Sequence, residues 1–415
     1  MTGTRIDSVT ARWGAPHLLT LLTSVVIMAL LLVASAACGR AAPFRARDAS
    51  LSAPGTARVA AARSGTPAAV PMRGGALTVL DASFASASTG WLLATPCANQ
   101  VRTCRTVVMR KTVDGGRSWF MVPAPDAPPA DQYQLSPPAP AVGRILFATT
   151  SQGWAFGPAL WQTRDGGATW QRMRVPGRQV QSLGVGTDRV LAVTGRCGSG
   201  AAACPFHVYS GVPGPGMWRA VPGASVTGVG SARVVVSGGV GYVFAMAASL
   251  GRPLLLSGPA DGSARWRPLP VPCAGAWSGA LAAAPGGSLW LGCGMEPGAG
   301  QQAKVAYLSG DGGHSWRKTT SPPSGGYLGD ASMSPAGTII LSGGRMDLYI
   351  SRDRGRTWHE SPSLANAAAL AGAGFTLEGS VVTDTHGFAF QEGVSRQQTW
   401  FTHDAGRQWT SMTVH

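Results

Sequence analysis

The sequence predicts an all-β chain, a seven-bladed β-propeller of four-stranded antiparallel blades, and three observations predict it. An octet ending in tryptophan returns at a near-constant interval, short apolar or alternating runs fill the gaps, and 57 glycines with 30 prolines punctuate the joints. No convincing amphipathic helix interrupts the pattern.

The octet reads "TVDGGRSW" at 112, "TRDGGATW" at 163, "SGDGGHSW" at 309, "SRDRGRTW" at 351 and "THDAGRQW" at 402, a pattern of Ser/Thr-x-Asp-x-Gly-x-x-Trp. The aspartates Asp114, Asp165, Asp311, Asp353 and Asp404 stand two places after a hydroxyl residue, where a carboxylate accepts hydrogen bonds from the amides that follow and folds the chain into a tight turn. Gly116, Gly167, Gly313, Gly355 and Gly406 tolerate the positive φ such a turn needs. Trp119, Trp170, Trp316, Trp358 and Trp409 then open the next strand with a large apolar face and one N–H to satisfy. Each octet is a hairpin corner with an anchor.

The interval is 51 positions from 112 to 163 and from 351 to 402, 42 from 309 to 351, and 146 from 163 to 309. The long gap holds about three periods, so two worn copies are expected inside it. "SGVPGPGMW" at 210–218 and "SGPADGSARW" at 257–266 keep the serine, the glycine and a terminal Trp218 or Trp266. Seven periods of this size suit four-stranded blades, with boundaries near 74–125, 140–177, 178–222, 223–270, 271–322, 323–363 and 364–415. Within the first period "LTVLDASFAS", "GWLLAT", "TVVMRKT" and "WFMVP" read as the four strands. The last period finishes its own fourth strand at "WTSMTV", so no strand exchanged between the termini is evident. A second recurrent element, in "STGWLLAT", "SQGWAFG" and "THGFAF", places Trp91, Trp154 and Phe388 ahead of a box and reads as inner-strand packing.

The octet resembles the Asp-box, or BNR repeat, of sialidases, sortilin-type receptors and the photosystem II stability-factor propellers. The Gly-aromatic element is closer to the last of these. The resemblance implies that the box lies between the third and fourth strands of a blade, at the periphery, with a structural role. It further implies an assembly factor that holds a membrane protein during its biogenesis, and it spans residues 74–415 at the level of the repeat.

Arg5 and Arg12 precede the apolar run "LLTLLTSVVIMALLLVASAA", which stops at Cys38 and reads as an export signal over 1–38. Ser35-Ala36-Ala37-Cys38 resembles a bacterial lipobox, with serine where leucine is usual, and implies lipidation of Cys38 at the outer face of the bacterial plasma membrane. An uncleaved anchor and ordinary cleavage with release are the alternatives, the run being long enough to span a bilayer. All three place the remainder outside the cytoplasm. Residues 39–73, alanine, proline, serine and arginine, read as a disordered tether, and 74–415 as the propeller.

The formal net charge is +15. Its arginines are scattered singly through turns and tether without a helical basic stripe, which argues against nucleic acid; a coding bias toward arginine, with a surface that can sit against anionic lipid heads or cell-wall polymers, is the better reading. Apart from Cys38 the cysteines number six, and sequence proximity pairs Cys97 with Cys104, Cys197 with Cys204, and Cys273 with Cys293, as an exported chain would. A zinc site is the rival, but the spacings lack C-x-x-C and a nearby histidine pair.

A glycoside hydrolase of sialidase type is the alternative function, since the boxes invite it. That chemistry needs a tyrosine nucleophile polarised by a glutamate. The glutamates are only Glu296, Glu360, Glu378 and Glu392, while Tyr242, Tyr307 and Tyr349 fall in strand runs that suit packing. His207, His314, His359, His386 and His403 form no zinc-protease pattern, and neither a catalytic residue, a metal nor another cofactor is nominated. The expected protein is a monomeric, membrane-attached binding or assembly scaffold for an envelope protein or glycan.

Overall fold

The computed structural model describes residues 77–97, 104–130, 140–177, 179–195, 204–214, 216–247, 253–343, 348–361, 376–392 and 398–413. The export run, Cys38, the tether and Cys197 lie outside them.

The described residues form antiparallel strands in chain order. The first sheet holds β1 (Thr78–Phe84), β2 (Gly90–Thr95), β3 (Val108–Thr112) and β4 (Phe120–Val122). The second holds β5 (Arg144–Phe147), β6 (Gly153–Phe156), β7 (Leu160–Thr163) and β8 (Gln171–Met173). A seven-stranded sheet follows: β9 (Gln179–Val185), β10 (Val190–Gly195), β11 (Cys204–Gly211), β12 (Arg219–Ser237), β13 (Val240–Ala247), β14 (Leu254–Pro259) and β15 (Arg267–Leu269). Then come β16 (Ser278–Ala283), β17 (Leu289–Gly298), β18 (Gln301–Ser309) and β19 (Arg317–Lys318). The last two sheets are β20 (Leu328–Met333), β21 (Ile339–Gly343), β22 (Leu348–Ser351) and β23 (His359–Glu360), and β24 (Thr376–Val381), β25 (Gly387–Glu392), β26 (Gln398–Thr402) and β27 (Thr410–Thr413).

Burial explains the sequence of each position. Second strands such as "GWLLAT" are buried along their whole length, because they stand mid-sheet with another sheet on either face, and they read as continuous runs of apolar and small residues. Fourth strands such as "QRM" are short and mostly exposed. The first strands line the axis: β1 touches β5, β9 touches β12, and β12, β16, β20 and β24 touch in series. β1 also touches β25, and Phe388, Phe390 and Phe401 of the last sheet share a core with Val79, Ala82 and Leu92 of the first. Neither of these two sheets borrows a strand from the other.

The edge of a first strand would leave amides unpaired, and side chains of the preceding sheet satisfy them. Ile145 N–H donates to Asp81 Oδ2 at 2.8 Å and Phe147 N–H to Ser83 Oγ at 2.8 Å. Val234 N–H donates to Ser182 Oγ at 3.1 Å and Val381 N–H to Ser332 Oγ at 2.8 Å.

The boundary expected between 222 and 223 falls inside a strand. β12 runs 19 residues, pairing with β11 through its first half and with β13 through its second. Shifts of register near Cys204, His207 and Val229, and left-handed Gly223 and Gly228, let it bend from one role to the other.

All five octets sit between third and fourth strands. In the first, Asp114 Oδ1 accepts from Thr112 Oγ1 at 2.8 Å and from Ser118 N–H at 2.9 Å, Oδ2 accepts from Ser118 Oγ at 2.5 Å, and Thr112 Oγ1 accepts from Gly116 N–H at 2.8 Å. The corresponding bonds form around Asp165, Asp311 and Asp353, whereas Gln408 gives Asp404 only its backbone N–H. Trp218 and Trp266 stand immediately before β12 and β15, as the other five stand before their fourth strands. The second worn copy keeps a carboxylate, Asp261, which accepts from Ser263 N–H at 2.9 Å.

The turn makes one demand the octet pattern conceals: its fourth place is left-handed as well as its fifth. Glycine holds that place at 115, 166 and 312, but Arg354 has φ 63° and Ala405 φ 59°. A left-handed alanine carries a steric cost that glycine lacks. Ala405→Gly is therefore expected to raise the unfolding free energy by about 0.5–1 kcal/mol, read from urea denaturation, despite glycine's greater freedom when unfolded.

Disulfides join Cys97 to Cys104 across the link from β2 to β3, and Cys273 to Cys293 from the link before β16 into β17, with Cα separations of 5.7 and 5.6 Å.

Candidate functional site

Because the strands of each sheet alternate in direction, the octets and the first-to-second turns share one face of the ring. The second-to-third links and the crossovers between sheets share the other.

At the axis, one register position recurs. Asp81, Arg144, Ser182, Asp330 and Glu378 each lie three residues before the residue that pairs with the start of the second strand: Phe84, Phe147, Val185, Met333 and Val381. Arg233 lies four before its counterpart, Ser237. Asp330 on β20 meets Arg144 Nη1 of β5 at 3.6 Å through Oδ2, and Arg233 Nη1 of β12 through Oδ1. These three first strands are not neighbours in the ring, since β9 intervenes between β5 and β12, and β16 between β12 and β20. The bridges therefore cross the axis.

Protein surrounds these groups on all sides while water still reaches them, the side chains of Arg144 and Arg233 being 38% and 48% exposed. Desolvation, then repulsion from Arg144, bring the Arg233 guanidinium down to about 10 against the pull of Glu378, so it remains charged at neutral pH. Burial pushes Asp81 up to about 6 even though Arg144 and the amides of Ile145 and Ala82 favour its charged form.

A raised carboxyl binds more protons folded than unfolded. Its contribution to stability is complete below the ordinary carboxylate range and is lost as pH rises through about 6. Allowing for water in the channel, roughly 1–2 kcal/mol of stability should disappear between about pH 4 and pH 7. In urea titrations across that range Asp81→Asn should lack this decline, while still accepting the Ile145 amide through its side-chain oxygen.

On the crossover face, two exposed aromatic residues precede the first strands of adjacent sheets. Trp277 immediately precedes β16 and is 47% exposed; Tyr327 immediately precedes β20 and is 40% exposed. The ground between them is built rather than loose. The β17–β18 hairpin bridges to the next crossover through Gln301 and Gly326, and Gln302 N–H donates to Ser324 O at 2.9 Å. The buried Gln302 side chain accepts from Leu328 N–H at 2.7 Å and donates to Met295 O at 2.7 Å. Lys304 Nζ donates to the carbonyls of Gln302, Pro323, Gly325 and Gly326 at 3.3, 2.8, 2.6 and 3.1 Å. A network of this kind fixes where Tyr327 stands.

The tyrosines and glutamates that glycosidase chemistry would need are dispersed. Tyr242 and Tyr349 are buried in two different cores between sheets, and Tyr307 packs against that of Tyr242. Glu296 is exposed on the hairpin, Glu360 is exposed on the outer strand β23, and Glu378 belongs to the axial set. His314 and His403 lie in octet turns, and His386 meets His403 edge to face at 4.9 Å. No group of three or more potential metal ligands occurs among the described residues.

Arg144 and Arg233, at the axis, lie in the first strands β5 and β12, not in the turns and tether through which this residue type is otherwise expected to scatter. The signal was available: counting back from the Gly-aromatic element in each period lands on Asp81, Arg144 and Glu378.

The profile described as photosynthesis system II assembly factor YCF48 matches residues 67–392. A structure described as YCF48 bound to D1 peptide is similar at 19% identity and a TM-score of 0.50, covering 80% of this chain and 94% of that one. YCF48 from Cyanidioschyzon merolae is similar at 17% identity and a TM-score of 0.52, covering 82% of this chain and 98% of that one. A GH74 enzyme of Niastella koreensis matches at 14% identity and a TM-score of 0.42, over 80% of this chain and 65% of that one. Comparison with curated sequences gives no match.

Proposed function

Because the chain belongs to the photosynthesis system II assembly factor YCF48 family, we propose that it is a non-catalytic propeller that binds a peptide segment of a partner protein at the crossover face. Counting β12 once in each of the sheets it serves, the propeller has seven blades. The observation that carries the reading is the pairing of two exposed aromatic platforms, Trp277 and Tyr327, with fixed charges of both signs at the axis. Aromatic faces supply contact area at small entropic cost, and a mixed cluster selects for a complementary pattern of polar groups. That one similar structure holds a D1 peptide supports a peptide over a glycan as the ligand class.

The chain carries an export signal and acts outside the cytoplasm, attached through Cys38 or an uncleaved anchor, with an envelope membrane protein as the partner. A photo-crosslinking amino acid in place of Tyr327, introduced into the full chain in its native host, tests the site. Capture of one exported protein is expected, with about tenfold less in the Trp277→Ala background. The same probe at His359 on the outer strand should capture none of it. Equal capture at both positions, or turnover of a fluorogenic sialoside by the purified chain, overturns the reading.

A further inference from the structure

A second surface lies at the rim on the octet face, where two of the repeats depart from the rest. The residue after the octet tryptophan opens the outer strand, and it is polar in nearly every copy: Gln171, Arg219, Arg267, Arg317, His359 and Thr410. The first copy has Phe120 instead, 45% exposed, followed by Met121, 49% exposed, with Val113 of the same turn 55% exposed. The residue before the tryptophan is Ser118, Thr169, Ser315, Thr357 or Gln408 in the preserved copies. The first worn copy has Met217, 83% exposed, with Val212 of the same turn 44% exposed. Neither substitution buries anything, so folding does not account for them.

The turn and outer strand between these two apolar prongs are basic. Arg164, Arg172 and Arg174 of the second sheet are exposed, as are Arg117 and Arg219 on either side. The worn copy has no acidic residue, and those of the first two octets, Asp114 and Asp165, have their carboxylates taken up by their own turns. The surface is continuous: Trp170 Nε1 donates to Pro123 O beyond β4 at 3.0 Å, and the Arg164 guanidinium lies against Gly214 in the worn turn.

We infer that this rim seats on an anionic lipid bilayer, with Phe120, Met121, Val212 and Met217 entering the headgroup region and Arg117, Arg164, Arg172, Arg174 and Arg219 meeting lipid phosphates. Apolar side chains flanking a row of arginines match the two layers of a bilayer interface, apolar below and anionic above. A protein partner would be expected to find acidic as well as basic groups on so wide a patch. The apolar run ahead of Cys38 places the chain near a membrane, and the 38 residues from Gly39 to 76 could extend roughly 120 Å, enough for either face to reach it.

The full chain reconstituted in phosphatidylcholine vesicles, with and without equimolar phosphatidylglycerol, tests the inference through hydrogen peroxide oxidation followed by peptide mass spectrometry. On anionic vesicles Met121 and Met217 should oxidise about fivefold more slowly than on neutral ones, and salt should reverse the protection. Met295, on the crossover face, should oxidise equally on both. Arg172→Ser/Arg174→Ser should abolish the protection without changing thermal stability. Equal oxidation of Met121 and Met217 on the two vesicle types overturns the inference, and so does protection that grows with protein concentration in the absence of vesicles, which would assign the rim to a second copy of the chain.

Discussion

Trp91→Ala should lower the unfolding free energy by about 3–5 kcal/mol, among the largest effects any single truncation in this chain can have. The indole is fully buried between the first and second sheets and stacks on Phe147 with ring centroids 3.6 Å apart and planes within 2°. Its Nε1 donates to the carbonyl of Gly166 at 3.0 Å, and Lys111 Nζ lies 5.1 Å from the ring centroid. Three losses therefore coincide: the transfer free energy of an indole, a cavity that flanking strands held by their own ladders cannot close, and an octet carbonyl left without its donor. Trp91→Phe separates them. It restores most of the packing and leaves only the lost hydrogen bond, for which about 1 kcal/mol is expected. Urea denaturation of the two variants gives the magnitudes, and hydrogen exchange at Gly167 and Thr169 reports whether the second octet has loosened.

The same contact gives the Gly-aromatic element of the first sheet a second role. Read as inner-strand packing, it says nothing about the octets; in the structure the second-strand aromatic of one sheet seats the octet of the next. Tyr242 lies beneath Gly312 and Trp290 beneath Gly355 in the way that Trp91 lies beneath Gly166 and Gly167. For the other two octets a third-strand residue takes the role: Ile350 lies beneath Gly406, and Phe401 beneath Gly116 where the ring closes. An octet is therefore less a corner of its own blade than a clamp between two, which also bears on why one copy could wear away. The two sheets that "SGPADGSARW" would clamp are already joined by the continuous ladder through β12.

How much could be read from the sequence follows from what repeats and what does not. Asp114 and its counterparts recur because every turn faces the same local problem of amides to satisfy within eight residues, so their spacing marks the turns that precede the fourth strands and the places of Trp218 and Trp266. The axial residues occupy one register position but differ in kind: Asp81, Arg144, Ser182, Asp330 and Glu378. Each faces different partners across the channel, and the bridges from Arg144 and Arg233 to Asp330 join strands more than 90 residues apart in sequence. No local pattern encodes such a pairing. The fusion through β12 has a related cause: the strand continues where a crossover is expected by bending at left-handed Gly223 and Gly228, and glycine is common at every joint of this chain.

Lysine offered a signal of another kind. In a chain that meets nearly every need for positive charge with arginine, lysine stands only at 111, 304 and 318. Lys111 stands over the Trp91 ring and Lys304 is caged by carbonyls, two places where a compact ammonium does what a planar guanidinium cannot. Scarcity marked them, although spacing did not.

Lys304→Met should cost about 3–4 kcal/mol, nearly as much as the loss of Trp91 though the side-chain volume hardly changes. Lys304 is buried in β18, and its ammonium gathers carbonyls from Gln302 and from the crossover at Pro323, Gly325 and Gly326. Methionine fills the space but donates nothing, so oxygens converging on one point repel one another with no cation between them. The crossover must open to find water, and the Gln302 bond to Leu328 N–H, which depends on that loop, should open with it. Lys304→Arg should not rescue the loss, because a fork of five donors cannot occupy a cage shaped for a point charge. Urea denaturation measures the cost, and accelerated hydrogen exchange at Leu328 locates it. Since the same crossover carries Tyr327, the Lys304→Met variant should also cross-link its partner poorly from position 327 while remaining folded at low temperature. Stability and recognition would then fail together at this loop, whereas Trp91→Ala, far around the ring from Tyr327, should lower stability and leave capture intact.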